Sequence, residues 1–195
     1  GCHHRSRKRT SAYLINTARG AHIDEKALIQ QLHDSSKKEA AFTRIVQEYQ
    51  KPLYWHIRRI VLFHDDADDV LQNTFIKAWN AAESFRGESS LQTWLFRIAI
   101  NESLNHLNKK RPAVSLEGAE GNVAASLASD SYFDGDKLQE QFQTAINTLP
   151  DKQRIVFNLK YFNEMKYEDM SSLLGTSIGA LKASYHHAVK KIYSF

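Results

Sequence analysis

Residues 167–182 read Tyr167-Glu168-Asp169-Met170-Ser171-Ser172-Leu173-Leu174-Gly175-Thr176-Ser177-Ile178-Gly179-Ala180-Leu181-Lys182, and this stretch decides the fold. Met170, Leu173 and Leu174 are spaced as the apolar side of a short helix. Gly175 supplies a left-handed residue that ends it. Ser177 is placed to cap a second helix, whose inner face is Ile178, Leu181, Tyr185, Ala188 and Ile192. Its outer face offers Gly179, Lys182, Ala183, His186 and Lys190. Two short helices about a glycine turn, the second apolar inside and small or basic outside, make a helix-turn-helix. The other arrangement with this pattern is an αα-corner of a helical bundle.

A helix-turn-helix sets its second helix in the major groove, with the N-terminal residues at base edges. The basic complement here is modest: Lys182, Lys190 and Lys191, with Lys160 and Lys166 nearby in sequence. Three or four phosphate contacts would give a log K against log salt slope of only about −3 to −4. Such a module binds duplex weakly alone and gains from a second, tethered contact. His186 and His187 are neighbours on a helix, so their side chains diverge, and no third metal ligand accompanies them. DNA or solvent suits them better than a metal.

Upstream, periodicity runs through Leu138, Phe142, Ala145, Ile146 and Leu149, breaks at Pro150-Asp151, and resumes at Ile155, Val156, Leu159 and Phe162. Residues 112–136 lose it. Residues 111–136 hold one basic and five acidic residues, and 112–136, with Pro112 and scattered Gly, Ser and Ala, reads as a flexible acidic linker. Residues 26–111 read as helices again. Phe42, Ile45, Val46, Tyr49, Leu53, Ile57, Ile60 and Val61 form a stripe, interrupted at Pro52. A second helix starts after His64-Asp65 with Leu71, Phe75, Ala78 and Trp79 on one stripe; Asp69, Gln72 and Asn73 lie off its centre. After a polar break, Ser89 or Ser90 caps a third helix carrying Leu91, Trp94, Leu95, Ile98, Leu104 and Leu107.

The expected fold is therefore all-α: two small helical domains joined by an acidic flexible linker, the C-terminal one a helix-turn-helix. The expected boundaries are 23–111 and 137–195, with linker 112–136 between them and an unstructured or vector-derived tail at 1–22. Composition agrees. The chain has 195 residues, 42% hydrophobic and 25% charged, with three prolines and eight glycines. A β-sandwich would need turn residues about every 8–12 positions. A lone cysteine, Cys2, excludes an internal disulfide framework and a Cys-rich zinc site. No apolar run approaches the roughly 20 residues of a transmembrane helix, so a cytoplasmic protein without direct membrane insertion is expected. The net charge of +4 is misleading, because residues 1–20 carry five basic residues and no acid. The rest is slightly acidic, and pI alone says little about DNA.

Three stretches, taken together, resemble bacterial RNA polymerase sigma factors of the extracytoplasmic-function subgroup. Asp66-Ala67-Asp68-Asp69-Val70-Leu71-Gln72-Asn73-Thr74-Phe75 followed by Ala78-Trp79 resembles their core-polymerase-binding helix. Phe85-Arg86-Gly87-Glu88-Ser89-Ser90-Leu91-Gln92-Thr93-Trp94 and on to Asn101 resembles the minus-10 segment. Leu149-Pro150 and residues 167–182 resemble the minus-35-binding domain. The match covers roughly residues 26–193, in the family's order.

The resemblance implies a non-enzymatic subunit, without cofactor, that directs core polymerase to specific promoters and helps open them. It implies as partners the β′ and β subunits, promoter DNA and an anti-sigma factor. Asp66, Asp69, Gln72 and Asn73 would meet polymerase; the family usually has Glu where this chain has Asn73. A solvated first helical turn would also account for these acids. Phe85, Arg86, Ser89, Ser90, Trp94, Arg97, Asn101 and Lys109 would serve minus-10 DNA, where an unstacked base must regain stacking and edge hydrogen bonds. Trp94 suits core packing as well as stacking. Ser177, Gly179, Lys182, Ala183, His186 and Lys190 would serve minus-35 DNA. The family's arginines near the positions of Ser184, His187 and Val189 are missing here. The acidic linker would thread polymerase channels built for polyanions, though an ordinary solvated tether has the same composition. The alternative function is an autonomous helix-turn-helix regulator, which reads palindromes as a symmetric dimer.

Residues 14–32 pull in another direction. They resemble the strand-to-helix segment of D-2-hydroxyacid dehydrogenases, in which Arg19 would bind a substrate carboxylate. That enzyme reading fails on what is missing: no G-x-G-x-x-G follows a strand, and the chain is too short for two α/β domains.

Overall fold

The computed structural model describes residues 24–109 and 136–195. Eight helices are formed within them: α1 Glu25–Leu32, α2 Lys38–Val61, α3 His64–Ala81, α4 Leu91–Lys109, α5 Lys137–Asn147, α6 Asp151–Tyr161, α7 Tyr167–Leu174 and α8 Ile178–Tyr193. The described residues contain no strand. The expected tail and nearly all of the expected linker lie outside them.

Helices α2, α3 and α4 pack mutually, with α1 laid on α2. The expected stripes supply Ile45, Leu53, Ile57, Ile60, Leu71, Ala78, Leu91 and Leu95 to the core, and Val70 and Ala99, outside those stripes, are buried with them. Around the start of α2, Phe42 meets Phe75 and Trp79 edge-on at centroid distances of 6.2 and 5.2 Å. Lys38 Nζ sits 4.0 Å over the Trp79 ring and pairs with Glu83 at 3.3 Å. Contrary to expectation, α2 is not interrupted at Pro52 but runs through it as one helix of 24 residues. A proline inside a helix costs about 3 kcal/mol or more. Burial of Leu53, Tyr54, Ile57 and Ile60 directly after it offsets that, at roughly 1.5–3 kcal/mol per large apolar side chain.

The C-terminal bundle centres on α8, which packs against α5, α6 and α7. Asp136, expected at the end of the linker, instead begins this bundle. Its carboxylate accepts from Gln139 N–H at 2.9 Å while Gln139 Oε1 accepts from Asp136 N–H at 3.2 Å, a reciprocal capping box for α5. Phe157 is stacked on Tyr161 and Tyr185 at 5.1 and 5.8 Å, above Ile146, Leu149 and Ala188. The helix-turn-helix forms as the spacing predicts, except that Ile178, expected on the inner face of α8, is exposed at the first turn. Gly175 takes φ 63° and donates to Ser171 O at 2.9 Å, and Ser177 Oγ accepts from Ala180 N–H at 3.3 Å.

The two bundles touch. Helix α6 lies on the C-terminal end of α2, and Val156, Leu159, Met170 and Leu181 continue the apolar cluster of the N-terminal bundle.

Candidate nucleic-acid interface

Exposure on α3 falls on one stripe. Gln72, Asn73 and Ile76 stand three, four and seven residues after Asp69, and all four face solvent, opposite the buried Val70, Leu71, Thr74 and Ala78. Ile76 is 58% exposed, an apolar side chain in the middle of a polar face. The sequence reading missed it, although its position seven residues after Asp69 was the available signal. Asp66 is set apart from these. Its side chain is only 15% exposed, and its Oδ1 lies 3.3 Å from His106 Nε2 on α4. Of the four expected polymerase contacts, the fold brings Asp69, Gln72 and Asn73 together and ties Asp66 into the α3–α4 seam.

The segment between α3 and α4 is braced from inside. Phe85 is buried and stacked on Trp94 with centroids 4.5 Å apart and planes within 14°. His33 Nε2 is 2.7 Å from the Phe85 carbonyl. Gly87 has φ 80°, and a Cβ there would sit 3.5 Å from Ile29, so conformation rather than space demands glycine. Arg86 points outward, with its backbone N–H bonded to Glu88 Oε2 at 3.1 Å. Ser90 caps α4: its Oγ accepts from Thr93 N–H at 3.1 Å, and Ser89 Oγ donates to Ser90 O at 3.2 Å. The eight expected minus-10 residues thus divide in two. Phe85 and most of Trp94 form the support, while Arg86, Ser90, Arg97, Asn101 and Lys109 are exposed and Ser89 is half-buried beside them.

Arg97 and Asn101 are one turn apart on α4, and an open groove continues from Asn101 between α3 and α4. Its walls include Lys77, Asn80, Asn101, Glu102 and Asn105, with Lys77 paired to Glu102. Amides both donate and accept, so three asparagines beside a cationic side chain can hydrogen-bond base edges without a net charge at each contact. Asn80 and Asn105 were not singled out from sequence; Asn105, four residues after Asn101, was within reach of the helical spacing.

On α8 every expected residue is outward. Gly179, Lys182, Ala183, His186 and Lys190 form one exposed stripe beginning at the cap Ser177, while Leu181 and Ala188 are buried behind them. Lys182 Nζ lies 5.7 Å from the Tyr167 ring centre, and Lys160 Nζ lies 4.4 Å from the same ring. Tyr167 opens α7, so these two ammonium groups flank the start of the first helix of the motif. The stripe is small at its N-terminal half and basic at its C-terminal half, which lets a helix approach groove floor and phosphates together.

Burial also tunes two groups beneath these faces. His56, packed on Phe96 with rings 4.7 Å apart, is held neutral: removal from water lowers its pKa to about 3, assisted by the nearby Arg59 charge. Burial, helped by the acids Glu25 and Glu48, raises the Tyr49 phenol to about 12. Among the described residues no group of three or more His, Cys, Asp or Glu could hold a metal, and no helix is long and apolar enough to cross a membrane.

Comparison with known proteins bears on these surfaces directly. Sigma-70 region 2 matches residues 45–112, and sigma-70 region 4 matches residues 139–192. The chain is 30% identical over 178 residues to the RNA polymerase sigma-H factor of Pseudomonas aeruginosa, covering 86% of this chain and 91% of the relative. It is 29% identical over 180 residues to the ECF RNA polymerase sigma-E factor of Haemophilus influenzae, covering 87% and 94%. Among solved structures, the sigma factor RpoE in complex with the anti-sigma factor NepR from Bartonella quintana aligns with TM-score 0.56 at 26% identity, over 78% of this chain and 94% of that one. The NAD binding domain of D-isomer specific 2-hydroxyacid dehydrogenases also matches, over residues 6–63. The described part of that span is α1 and α2, two helices packed into the N-terminal bundle, and its last 19 residues are shared with the region 2 match.

Proposed function

The chain belongs to the extracytoplasmic-function sigma factors of RNA polymerase, and on that premise we propose which of its surfaces carry out each part of the work. It is a non-enzymatic subunit that directs core polymerase to promoters, region 2 serving the minus-10 element and region 4 the minus-35 element. Region 2 docks on polymerase through Asp69, Gln72 and Asn73, with Ile76 as the apolar centre of the contact. Asp66 contributes by holding the start of α3 against His106. An apolar residue ringed by polar ones is the usual composition of an interface centre.

The minus-10 strand is taken by Arg86, Ser89, Ser90, Arg97 and Asn101, with Lys109 on phosphate. Phe85 and Trp94 stiffen the cup, and Trp94 presents its remaining exposed edge. Region 4 reads the minus-35 duplex through Ser177, Gly179, Lys182, Ala183, His186 and Lys190. Residues 23–111 and 136–195, the second unit taking in Asp136 because it caps α5, act as the two working units. Residues 112–135, with Glu117, Glu120, Asp130 and Asp134, pass through polymerase channels that accept polyanions. The complex of the relative RpoE with the anti-sigma factor NepR supports an anti-sigma partner here, and a cytoplasmic site of action follows from the role in transcription.

The observation that carries this reading is the α3 stripe: three polar side chains and an exposed isoleucine on a helix whose opposite face is fully packed. The test is binding of the full chain to core polymerase beside an Asp69→Ala, Gln72→Ala version. At least a tenfold loss of affinity (about 1.4 kcal/mol) is expected, with an unchanged melting temperature because both positions are exposed. Absence of binding to core, together with dimeric binding to duplex DNA, would replace the reading with an autonomous regulator.

A further inference from the structure

Helix α8 carries three lysines, Lys182, Lys190 and Lys191, and no acid. It also carries two neighbouring histidines, His186 and His187, both exposed. Their rings are 6.2 Å apart and tilted by 59°. Successive residues of a helix turn by about 100°, so the two rings lie to either side of one strip. That strip is small, because Gly179 and Ala183 form it, and both are exposed. On one flank His186 stands one turn after Lys182; on the other His187 stands one turn before Lys191.

This arrangement fits a major groove. A helix about 10–12 Å across fills a groove about 12 Å wide. The small strip lets the backbone approach the base edges, and the flanks then face the two phosphate walls. A lysine serves a phosphate wall at any ordinary pH. An imidazole does so as a cation only when protonated, and ordinary imidazole titrates between about pH 5 and 8. A phosphate beside it favours the charged form.

No acid competes for these rings. The helices packed behind α8 bring Lys137 and Glu140 on α5, Asp151, Lys152, Arg154 and Lys160 on α6, and Glu168 and Asp169 on α7. Asp151 is committed to Arg154 at 2.8 Å. Among the described residues no acid forms an ion pair with His186 or His187.

We infer that His186 and His187 are phosphate-binding residues of region 4 that work as imidazolium cations, so that its hold on duplex DNA tightens as pH falls. The inference rests on the reading of α8 as the minus-35 helix, and adds to it a proton taken up at each histidine on binding. The complex then holds more protons than the separate partners, so the association constant rises toward low pH. For an ordinary imidazole, a phosphate that favours the cation tenfold makes the complex about sixfold tighter at pH 6 than at pH 8. Each imidazolium on a phosphate also adds about 0.9 to the salt slope.

The test is binding of the full chain to a short mixed-sequence DNA duplex, followed by fluorescence anisotropy through a salt series at pH 6 and at pH 8. Mixed sequence suffices, because phosphate contacts carry no sequence information directly. The unmodified chain is expected to bind about six- to fortyfold tighter at pH 6, with a log K against log salt slope steeper there by about 1 to 2. His186→Gln with His187→Gln should remove both differences. His186→Arg with His187→Arg should bring the tighter, steeper binding to pH 8. His56 is present in every chain, so any loss of folded protein at pH 6 is common to all of them. Equal salt slopes at the two pH values in the unmodified chain would overturn the proposal whether or not the variants fold. So would a glutamine pair that keeps the pH dependence, since the proton would then be taken up elsewhere. Failure of the unmodified chain to bind core polymerase would instead overturn the sigma-factor reading, and the duplex data would still decide the proton linkage.

Discussion

Region 2 and region 4 both meet DNA, yet they prepare for it in opposite ways. Region 4 offers a convex helix whose proposed reading face is bare: Gly179, Lys182, Ala183, His186 and Lys190 project from α8 with the packing all behind them. Region 2 offers a braced loop, in which Phe85 and Trp94 are stacked, His33 holds a carbonyl, and Ser90 both caps α4 and faces outward. A duplex brings its own rigidity, so a helix that fits its groove suffices. An unstacked base brings none, and the protein must supply the platform. Support is therefore invested in region 2 and surface in region 4.

That contrast can be broken at several points. The largest effect is expected from Phe85→Ala. Removing a buried, stacked phenylalanine should cost about 3–5 kcal/mol in urea unfolding and abolish promoter opening while leaving minus-35 duplex binding by region 4 intact. Equal loss of both activities would mean that the loop is not a separate platform.

A second handle is His56 on α2. Its pKa is about 3 in the fold and about 6.5 unfolded, so below pH 6.5 the unfolded chain takes up a proton that the fold refuses. Stability is full above pH 6.5 and falls as pH drops toward 3. Between pH 7.5 and 5 the loss should be about 2 kcal/mol, and should be absent from a His56→Leu chain measured by urea titration at both pH values.

In region 4 the effects should be smaller. Gly175→Ala places a Cβ at φ 63°, where nothing lies within 4 Å; the strain is conformational and worth about 1 kcal/mol. It should lower the melting temperature without changing which minus-35 sequence is selected. The mildest change is Lys182→Ala with Lys190→Ala. If both meet phosphate, the slope of log K against log salt on a minus-35 duplex should drop by about 2, with little change in stability. An unchanged slope would put these lysines off the DNA.

The helix pattern was legible because both bundles are built from regular apolar stripes. So was the α8 face, because an exposed helix surface is a matter of periodicity alone. Phe85 was harder. In sequence it is an aromatic residue in a polar loop, the composition of a base-stacking site, and only the parallel Trp94 ring makes it interior. Ile76 was hidden for the reverse reason, since an isoleucine in a helix is read as core. Pro52 misled because a local cost was weighed without the four buried side chains that follow it. The contact of α6 with the end of α2 left almost no trace, because Arg154 and Asn158, which look like surface residues in the sequence, donate there to the backbone carbonyls of Ile60 and Arg59.

The most direct measurement of the central claim is to map transcript 5′ ends made by core polymerase reconstituted with this chain on fragmented bacterial genomic DNA. The account predicts starts absent with core alone, preceded by two shared sequence elements at a fixed separation, and lost with Asp69→Ala, Gln72→Ala. Starts no different from those of core alone, or a single palindromic element bound without polymerase, would contradict it.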